Sequence, residues 1–483
     1  MNGDKSRESD SELNRREFVQ AAAAVGAGAM MAMSGCKQES GSPPPSAPGG
    51  AAPPTTQPAA SQEAIAAEEA LATTQANVEE LAIAIIGPGS QGRNLLTCCL
   101  KSPGIRFVAV SDIWPYHQKY AANILKKYDQ PVNVYEDYRE MLDKEKNLDA
   151  VIIATPDWVH AEQTVACLKA GKHVYCEKEM ANTLDGARQM VLAARQTGKL
   201  LQIGHQRRSN PRYWHAIKLI EKDKLLGRIT HAYGQWNRAE AYEIGWPKGD
   251  EMSPDALTRY GYPSMEVFRN WRWYHKYSGG AMADLGSHQI DVFNWILKAR
   301  PKSVMASGGL DFYQQAGREW YDNVLAIYEY HIESGPVRTF YQVLNTTSHG
   351  GFYETFMGNE GSMVVSEDTR KGLLFRETVA KKREWENEAN KIESQGRDAI
   401  ELKIGETLRP DGSKDPEGQR MLAESKKPPH QLHLENFFTA IRTGSPLSCP
   451  SEVAYETAVS VLKANDAVES ARRMDFAPEE FVV

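Results

Sequence analysis

The chain has 483 residues and a formal net charge of −7 at pH 7, with 41% hydrophobic residues. That length exceeds what one core usually organises, so two domains are the expectation. The negative balance and the lack of a basic stripe argue against nucleic acid as a partner. Cysteines at 36, 98, 99, 167, 176 and 449 have neither metal-ligand nor disulfide-framework spacing.

The first segment, LNRREFVQAAAAVGAGAMMAMSGC (13 to 36), places Arg15 and Arg16 before a short Ala/Gly-rich apolar run and a small-residue exit. That is the order of a twin-arginine export signal. The run is too short and too poor in Leu and Ile for a spanning helix, which needs ~20 apolar residues. Met33-Ser34-Gly35-Cys36 is similar to a lipoprotein cleavage box with Met in place of Leu, which makes Cys36 a candidate lipid anchor. The expectation is export through the twin-arginine machinery, to the periplasm or to a membrane surface. Residues 37 to 78, with SPPPSAPGGAAPPTTQPAA, read as a Pro/Ala/Ser tether.

The globular part begins near Glu79. LAIAIIGPGSQGRNLL (81 to 96) is a continuous apolar run turning through glycines into a helical pattern. The run predicts a strand buried on both faces. Gly87 suits the tight turn, Gly89 lets the backbone approach a pyrophosphate, and Gly92 lets helix and strand pack closely. Phosphates would sit at the helix N-terminus, beside Ser90 and Gln91. RFVAVSD ends at Asp112, twenty positions after Gly92. An acid there suits the ribose hydroxyls of NAD and disfavours NADP; its other reading is a helix cap or turn residue. Helix near 116 to 128, strand 132 to 135, helix 137 to 143 and strands DAVIIAT, HVYCEK and LLQIGH continue the alternation. Such alternation predicts a parallel, doubly wound sheet.

IIATPDWVH places Thr155, Pro156 and His160 on a cofactor-side loop. QIGHQRRSNP lies where the chain leaves the first domain, and Arg207 there suits either a substrate contact or a surface ion pair. GQWNR and FRNWRWYHKYSGG concentrate Trp236, Arg272 and Tyr274 with further tryptophans. Aromatic faces beside hydrogen-bonding groups suit a sugar or cyclitol, while large aromatics are also ordinary core. In GGAMADLGSHQIDVFNWIL, Asp284, His288 and Asp291 form one polar stripe at ~100° per residue. Residues 370 to 428 are rich in Lys and Glu and read as a surface insertion.

Taken together, AIIGPGSQG, IIATPDWVH, GKHVYCEKEM and GGAMADLGSHQIDVFNWIL resemble the Gfo/Idh/MocA oxidoreductases, from residue 80 to 360 and again in HLENFFTAIRTGSPL. The resemblance implies an α/β fold in two parts: an N-terminal Rossmann domain (79 to 206) with a doubly wound parallel sheet, and a C-terminal α/β domain (207 to 483) with an open, mostly antiparallel sheet. It implies a nicotinamide cofactor, NAD by the acid at 112 and tightly bound if the chain is exported, with Glu177 and Lys178 in the family's Glu-Lys-Pro motif and Glu179 in place of the proline. Lys178, Asp284 and His288 become the catalytic set, with His288 as base, Asp284 orienting it and Lys178 meeting the substrate hydroxyl. The substrate-side group is then Lys178, Arg207, Trp236, Arg272, Tyr274, Asp284 and His288, and no metal is implied. The expected activity is hydride transfer to or from a secondary hydroxyl of a sugar, glycoside or cyclitol, in a homo-oligomer. An exported enzyme must carry its cofactor with it and reset it in place. A ping-pong oxidoreductase and a glycosidase working by oxidation, elimination, hydration and reduction both satisfy that need. A cofactor-binding protein without catalysis is the remaining alternative.

Overall fold

The computed structural model describes residues 78–404 and 416–483, apart from 241, 242, 315, 316, 388 and 395. The expected export signal and the tether as far as residue 77 lie outside the described residues.

The first half alternates strand and helix. Its elements are β1 (Leu81–Ile86), α1 (Ser90–Leu100), β2 (Ile105–Ser111), α2 (Pro115–Lys127), β3 (Asn133–Tyr135) and α3 (Tyr138–Lys144). There follow β4 (Ala150–Ile153), α4 (His160–Lys169), β5 (His173–Cys176), α5 (Leu184–Thr197) and β6 (Leu201–Ile203). The strands pair in the order β3-β2-β1-β4-β5-β6, all parallel. This is the doubly wound dinucleotide-binding order, with its topological switch between β1 and β4. Every residue of β1 is buried, because helices cover both faces of the sheet. α5 begins on a Thr183 side-chain cap that accepts from the Gly186 N–H, and it ends at Gly198 in the left-handed region.

The chain then passes through α6 (Pro211–Glu221), β7 (Ile229–Asn237), the short helices α7 (Pro254–Arg259) and α8 (Met265–Arg269), a wide turn at Met282–Gly286, and α9 (Ser287–Leu297). The second sheet adds β8 (Pro301–Gly309), β9 (Asn323–Ile332), β10 (Gly335–Leu344), β11 (Phe352–Gly358), β12 (Gly361–Val365), β13 (Leu373–Arg376), β14 (Lys391–Ser394) and β15 (Arg397–Glu401). Helices α10 (Pro416–Glu424), α11 (Pro429–Thr443) and α12 (Ser451–Ser470) precede the edge strand β16 (Met474–Asp475). The order is β14-β15-β13-β12-β11-β7-β10-β9-β8-β16, antiparallel except where β7 meets β10. One face packs on α9 and α12. The other leaves Met305, Leu325 and Ile327 exposed.

Residues 370 to 428 are not only a surface insertion. β13 pairs with β12, and Trp385, Ile400 and Leu402 are buried, so this stretch extends the sheet edge. Few apolar residues are needed for a strand with one covered face, which is why the charged composition hid it. The polar stripe expected on the 284–291 helix is not a stripe either. Asp284 belongs to the wide turn, where the backbone steps out of α-helical register. Asp291 is buried and accepts from both Arg208 Nε and Nη2 and from Thr457 Oγ1.

Candidate active site

A cavity of about 1070 Å³ runs from the first glycine turn to the mouth of the second sheet. Gly87, Gly89, Ser90 and Gln91 line one end. Gly87 adopts φ +82°, and a Cβ there would stand 2.6 Å from the Thr155 methyl. Gly92 lies behind the lining, where a Cβ would come within 2.2 Å of the Gly87 carbonyl oxygen, so only glycine lets helix and turn close up. α1 starts at Gly89 with no side-chain cap, which leaves its first-turn N–H groups open toward the cavity. Uncapped N–H groups at the positive end of a helix dipole fit a pyrophosphate. The cavity and its glycine wall therefore suit a dinucleotide.

Asp112 is buried at this end. One of its oxygens accepts from Trp114 N at 2.8 Å, and the other lies 3.0 Å from His117 Nδ1. It thus serves as a turn anchor while also facing the cavity. Gln91 Nε2 donates to Glu177 Oε1 at 2.9 Å, tying the glycine turn to the end of β5. Thr155 Oγ1 is bound to Gln163 at 2.7 Å. Thr155, Pro156 and Glu177 all line the cavity. His160 lines it too, but both ring nitrogens sit 2.8 Å from carbonyl oxygens, those of Glu179 and Thr155. It braces two loops and presents no free nitrogen to a ligand.

Toward the second domain, Lys178 Nζ donates to the backbone carbonyl of Asp284 and lies 3.3 Å from its Oδ1. Arg272 Nε reaches the other oxygen at 3.1 Å, and Arg238 stands 3.6 Å away. Burial acts to raise the Asp284 pKa, but Arg272, Lys178 and Arg238 outweigh it and hold the carboxyl far below the usual range. Asp284 is therefore an anion that positions Lys178. No hydrogen bond joins it to His288, so the expected Asp–His pairing is replaced by an Asp–Lys one. The step out of register at residues 282–286 accounts for this, since it moves Asp284 off the His288 line.

His288 is 6% exposed, stacks 5.0 Å from Trp236, and has an Nδ1 with no partner. Burial first, and then Lys178, push its pKa well below the ordinary imidazole value. It is neutral at pH 7. Trp236 is held from its other side by Phe352 at 4.8 Å. Lys178, Trp236, Arg272, Asp284 and His288 thus share one cavity with the glycine turn.

Two expected substrate contacts lie elsewhere. Arg207 is 1% exposed and pairs with Glu354 and, at 3.3 Å, with Glu367. It supports Trp236 from behind, 5.5 Å from the ring, and is neither a surface pair nor part of the cavity wall. Tyr274 packs edge-on to Tyr277 in an aromatic cluster with Trp114, Tyr262 and Phe268. Large aromatics found their ordinary core role there.

Two buried acids complete the wall. Asp157 accepts from Gly279 N at 3.1 Å and has one oxygen without a partner; burial raises its pKa to about 7. Glu179 accepts from Met180 N at 2.8 Å, also with one oxygen unpartnered, and burial raises it to about 8. The signal for both was in the sequence. Glu179 stands in place of the proline in the Glu-Lys-Pro motif, and Asp157 directly follows Thr155-Pro156. Arg238 and His430 also line the cavity; Arg238 ends the GQWNR stretch without a signal of its own, and nothing in the sequence points to His430.

Residues 81–205 match the family described as "Oxidoreductase family, NAD-binding Rossmann fold", and residues 214–364 match the GFO/IDH/MocA C-terminal domain. The chain is 27% identical over 229 residues to 1,5-anhydro-D-fructose reductase of Ensifer adhaerens, covering 47% of this chain and 59% of that protein. It is 34% identical over 169 residues to inositol 2-dehydrogenase of Rubrobacter xylanophilus, covering 35% and 46% respectively. The chain spans about half the length of the curated relatives it matches. Among solved structures, levoglucosan dehydrogenase in complex with NADH and levoglucosan superposes with a TM-score of 0.61 at 19% identity, covering 82% of this chain and 99% of that one. Aldose-aldose oxidoreductase of Caulobacter crescentus gives the same TM-score and identity, covering 82% and 100%. At such identities these two share the fold.

Proposed function

We propose that this chain, which belongs to the Gfo/Idh/MocA oxidoreductase family, transfers hydride between a bound nicotinamide cofactor and a secondary hydroxyl of a sugar, glycoside or cyclitol. One observation carries the reading: a neutral imidazole and an oriented ammonium share a cavity with an uncapped glycine turn. Gly87, Gly89, Ser90, Gln91, Asp112, Thr155 and Pro156 would hold the dinucleotide, whose nicotinamide supplies the hydride acceptor when bound. His288, kept neutral by burial, takes the hydroxyl proton as the C–H bond is broken. Lys178, aimed by Asp284, stabilises the negative charge developing on that oxygen. Trp236, stacked between His288 and Phe352, holds the imidazole at the cavity wall. The named activities of the relatives, on anhydrofructose and inositol, and the levoglucosan complex support a carbohydrate or polyol as the substrate.

The paired arginines before the Ala-rich run support twin-arginine export, with Cys36 as an optional lipid anchor and a periplasmic or membrane-surface destination. In that setting a closed redox cycle on one bound cofactor is favoured. The glycosidase route, in which oxidation, elimination, hydration and reduction return the cofactor unchanged, is the second reading. The exposed apolar face of the second sheet supports homo-oligomerisation through that face. The test is purified protein incubated with sugars, cyclitols and chromogenic glycosides. A keto product with reduced cofactor supports the dehydrogenase, and aglycone release without net reduction supports the closed cycle. Absence of any turnover and of any cofactor reduction overturns both.

A further inference from the structure

Arg93, Arg139, Arg238, Arg259, Arg269 and Arg272 line the cavity. Four of these reach a carboxylate: Arg139 pairs with Glu162, Arg238 with Glu240, Arg259 with Glu136 at 3.2 Å, and Arg272 with Asp284 at 3.1 Å. Among the described residues, Arg93 and Arg269 pair with none. Their Nε groups donate only to backbone carbonyls, Arg93 to Gly89 at 3.2 Å and Arg269 to Gly245 at 3.1 Å. Each guanidinium lies over an aromatic ring, Arg93 over Tyr120 at 4.4 Å and Arg269 over Trp114 at 5.0 Å.

Both stand at the Asp112 end of the cavity. Trp114 follows Asp112 by two residues, and its N–H is bound to the Asp112 carboxylate. Arg93 follows the glycine turn directly. The two cations are near enough that Arg93, after burial, lowers the Arg269 pKa, and Asp112 acts on Arg269 without forming an ion pair. Asp112 itself is committed to Trp114 N and His117. Two half-buried guanidiniums on the same cavity wall, each stacked in place on an aromatic ring and lacking a carboxylate, are arranged for an anion from outside the protein.

If the cavity holds a nicotinamide dinucleotide, as proposed above, Asp112 marks the adenosine ribose. We infer that Arg93 and Arg269 form a site for a phosphate monoester on that ribose, so that the cavity accepts the 2′-phosphorylated cofactor, NADP, as well as NAD. The monoester carries close to two negative charges at pH 7, which two guanidiniums match and one engaged carboxylate does not cancel. This reverses the preference that the acid at 112 alone implies.

The test is a binding titration on nucleotide-stripped full chain, following the fluorescence of NADH and of NADPH, with wild type and Arg93→Gln/Arg269→Gln. Losing two charge-assisted contacts weakens a ligand by about tenfold or more. The expected result is wild-type dissociation constants for the two cofactors within roughly tenfold of one another, and a double variant that weakens NADPH about tenfold or more while NADH changes less than about threefold. Wild-type binding of NADPH weaker than that of NADH by more than about tenfold overturns the inference. Equal weakening of both cofactors also overturns it, because it assigns the arginines to the shared pyrophosphate. If the variant does not fold, the wild-type ratio decides alone. Failure of wild type to bind either cofactor refutes the proposed function, a different outcome from NADH binding without NADPH.

Discussion

Replacing Asp284 by Asn tests the electrostatic centre of the site. The amide keeps the shape and one acceptor oxygen but removes the charge that faces Lys178 at 3.3 Å, Arg272 at 3.1 Å and Arg238 at 3.6 Å. At an effective dielectric of about 20, one such pair is worth about 5 kcal/mol gross. Arg272 and Arg238 are 40% and 43% exposed, so solvent reduces each of their contributions to about 1 kcal/mol or less. Lys178 and Asp284 are only 12% and 13% exposed. Breaking a pair that buried typically costs about 3–5 kcal/mol, and the retained acceptor favours the lower figure. Unfolding should therefore begin roughly 5–10 °C lower in the variant, measured by calorimetry. Turnover should fall by about 100-fold, because the ammonium loses its aim, while bound nucleotide is retained. The folded carboxyl titrates far below its unfolded value of about 3.9. Its contribution to stability is therefore complete above that value and is lost only as pH falls below it. The deficit should be constant from about pH 5 to pH 8. A variant as stable and as active as wild type, or a deficit that fades across that window, would refute the account of Asp284 as the anion that holds Lys178.

Other substitutions test neighbouring claims. His288→Asn should abolish turnover while leaving nucleotide binding intact; and because burial lowers this imidazole well below about 6.5, kcat/KM in wild type should stay flat through neutrality and fall only at more acid pH. A half-maximal point near pH 7 contradicts that. Glu179 has its pKa raised to about 8, so ionisation opposes folding increasingly as pH climbs from about 4.3 toward 8. Glu179→Gln should therefore melt several degrees above wild type at pH 8, with the gain vanishing near pH 4; an offset independent of pH counts against it. Gly92→Ala drives a methyl toward the Gly87 carbonyl oxygen and should eliminate dinucleotide binding, read as loss of co-purifying cofactor. Arg207→Ala removes the cation from the buried Glu354 and the half-buried Glu367, so a loss of about 3–5 kcal/mol of stability, mostly from Glu354, is expected, visible in urea unfolding.

The Rossmann half was legible because its signals are local. A run such as AIAII reads as a buried strand, Gly87 is required by its own positive φ, and Gly92 is required by the nearby Gly87 carbonyl within the same turn. The second sheet was less legible. β11 (Phe352–Gly358), with FYETFMG, shows no clean alternation, since Glu354 points inward to Arg207 and Tyr213 rather than to solvent. β13 through β15 are short and lie within a charged background. In each case a long-range partner outweighs the local pattern.

The same distinction separates residue identity from residue role in the cavity. Spacing and motif brought Lys178, Asp284 and His288 forward together, and the three do line one wall. Which of them Asp284 serves was decided by the wide turn at Met282–Gly286, a register change of one residue that no composition or periodicity encodes. That turn delivers the carboxylate to an ammonium and two guanidiniums, and it leaves the imidazole neutral, stacked on Trp236 and without a carboxylate of its own. A base without an acidic partner has no counter-ion to stabilise its protonated form. In the proposed reaction, a proton taken up by His288 would have no carboxylate to hold it, which would favour passing it back to the substrate.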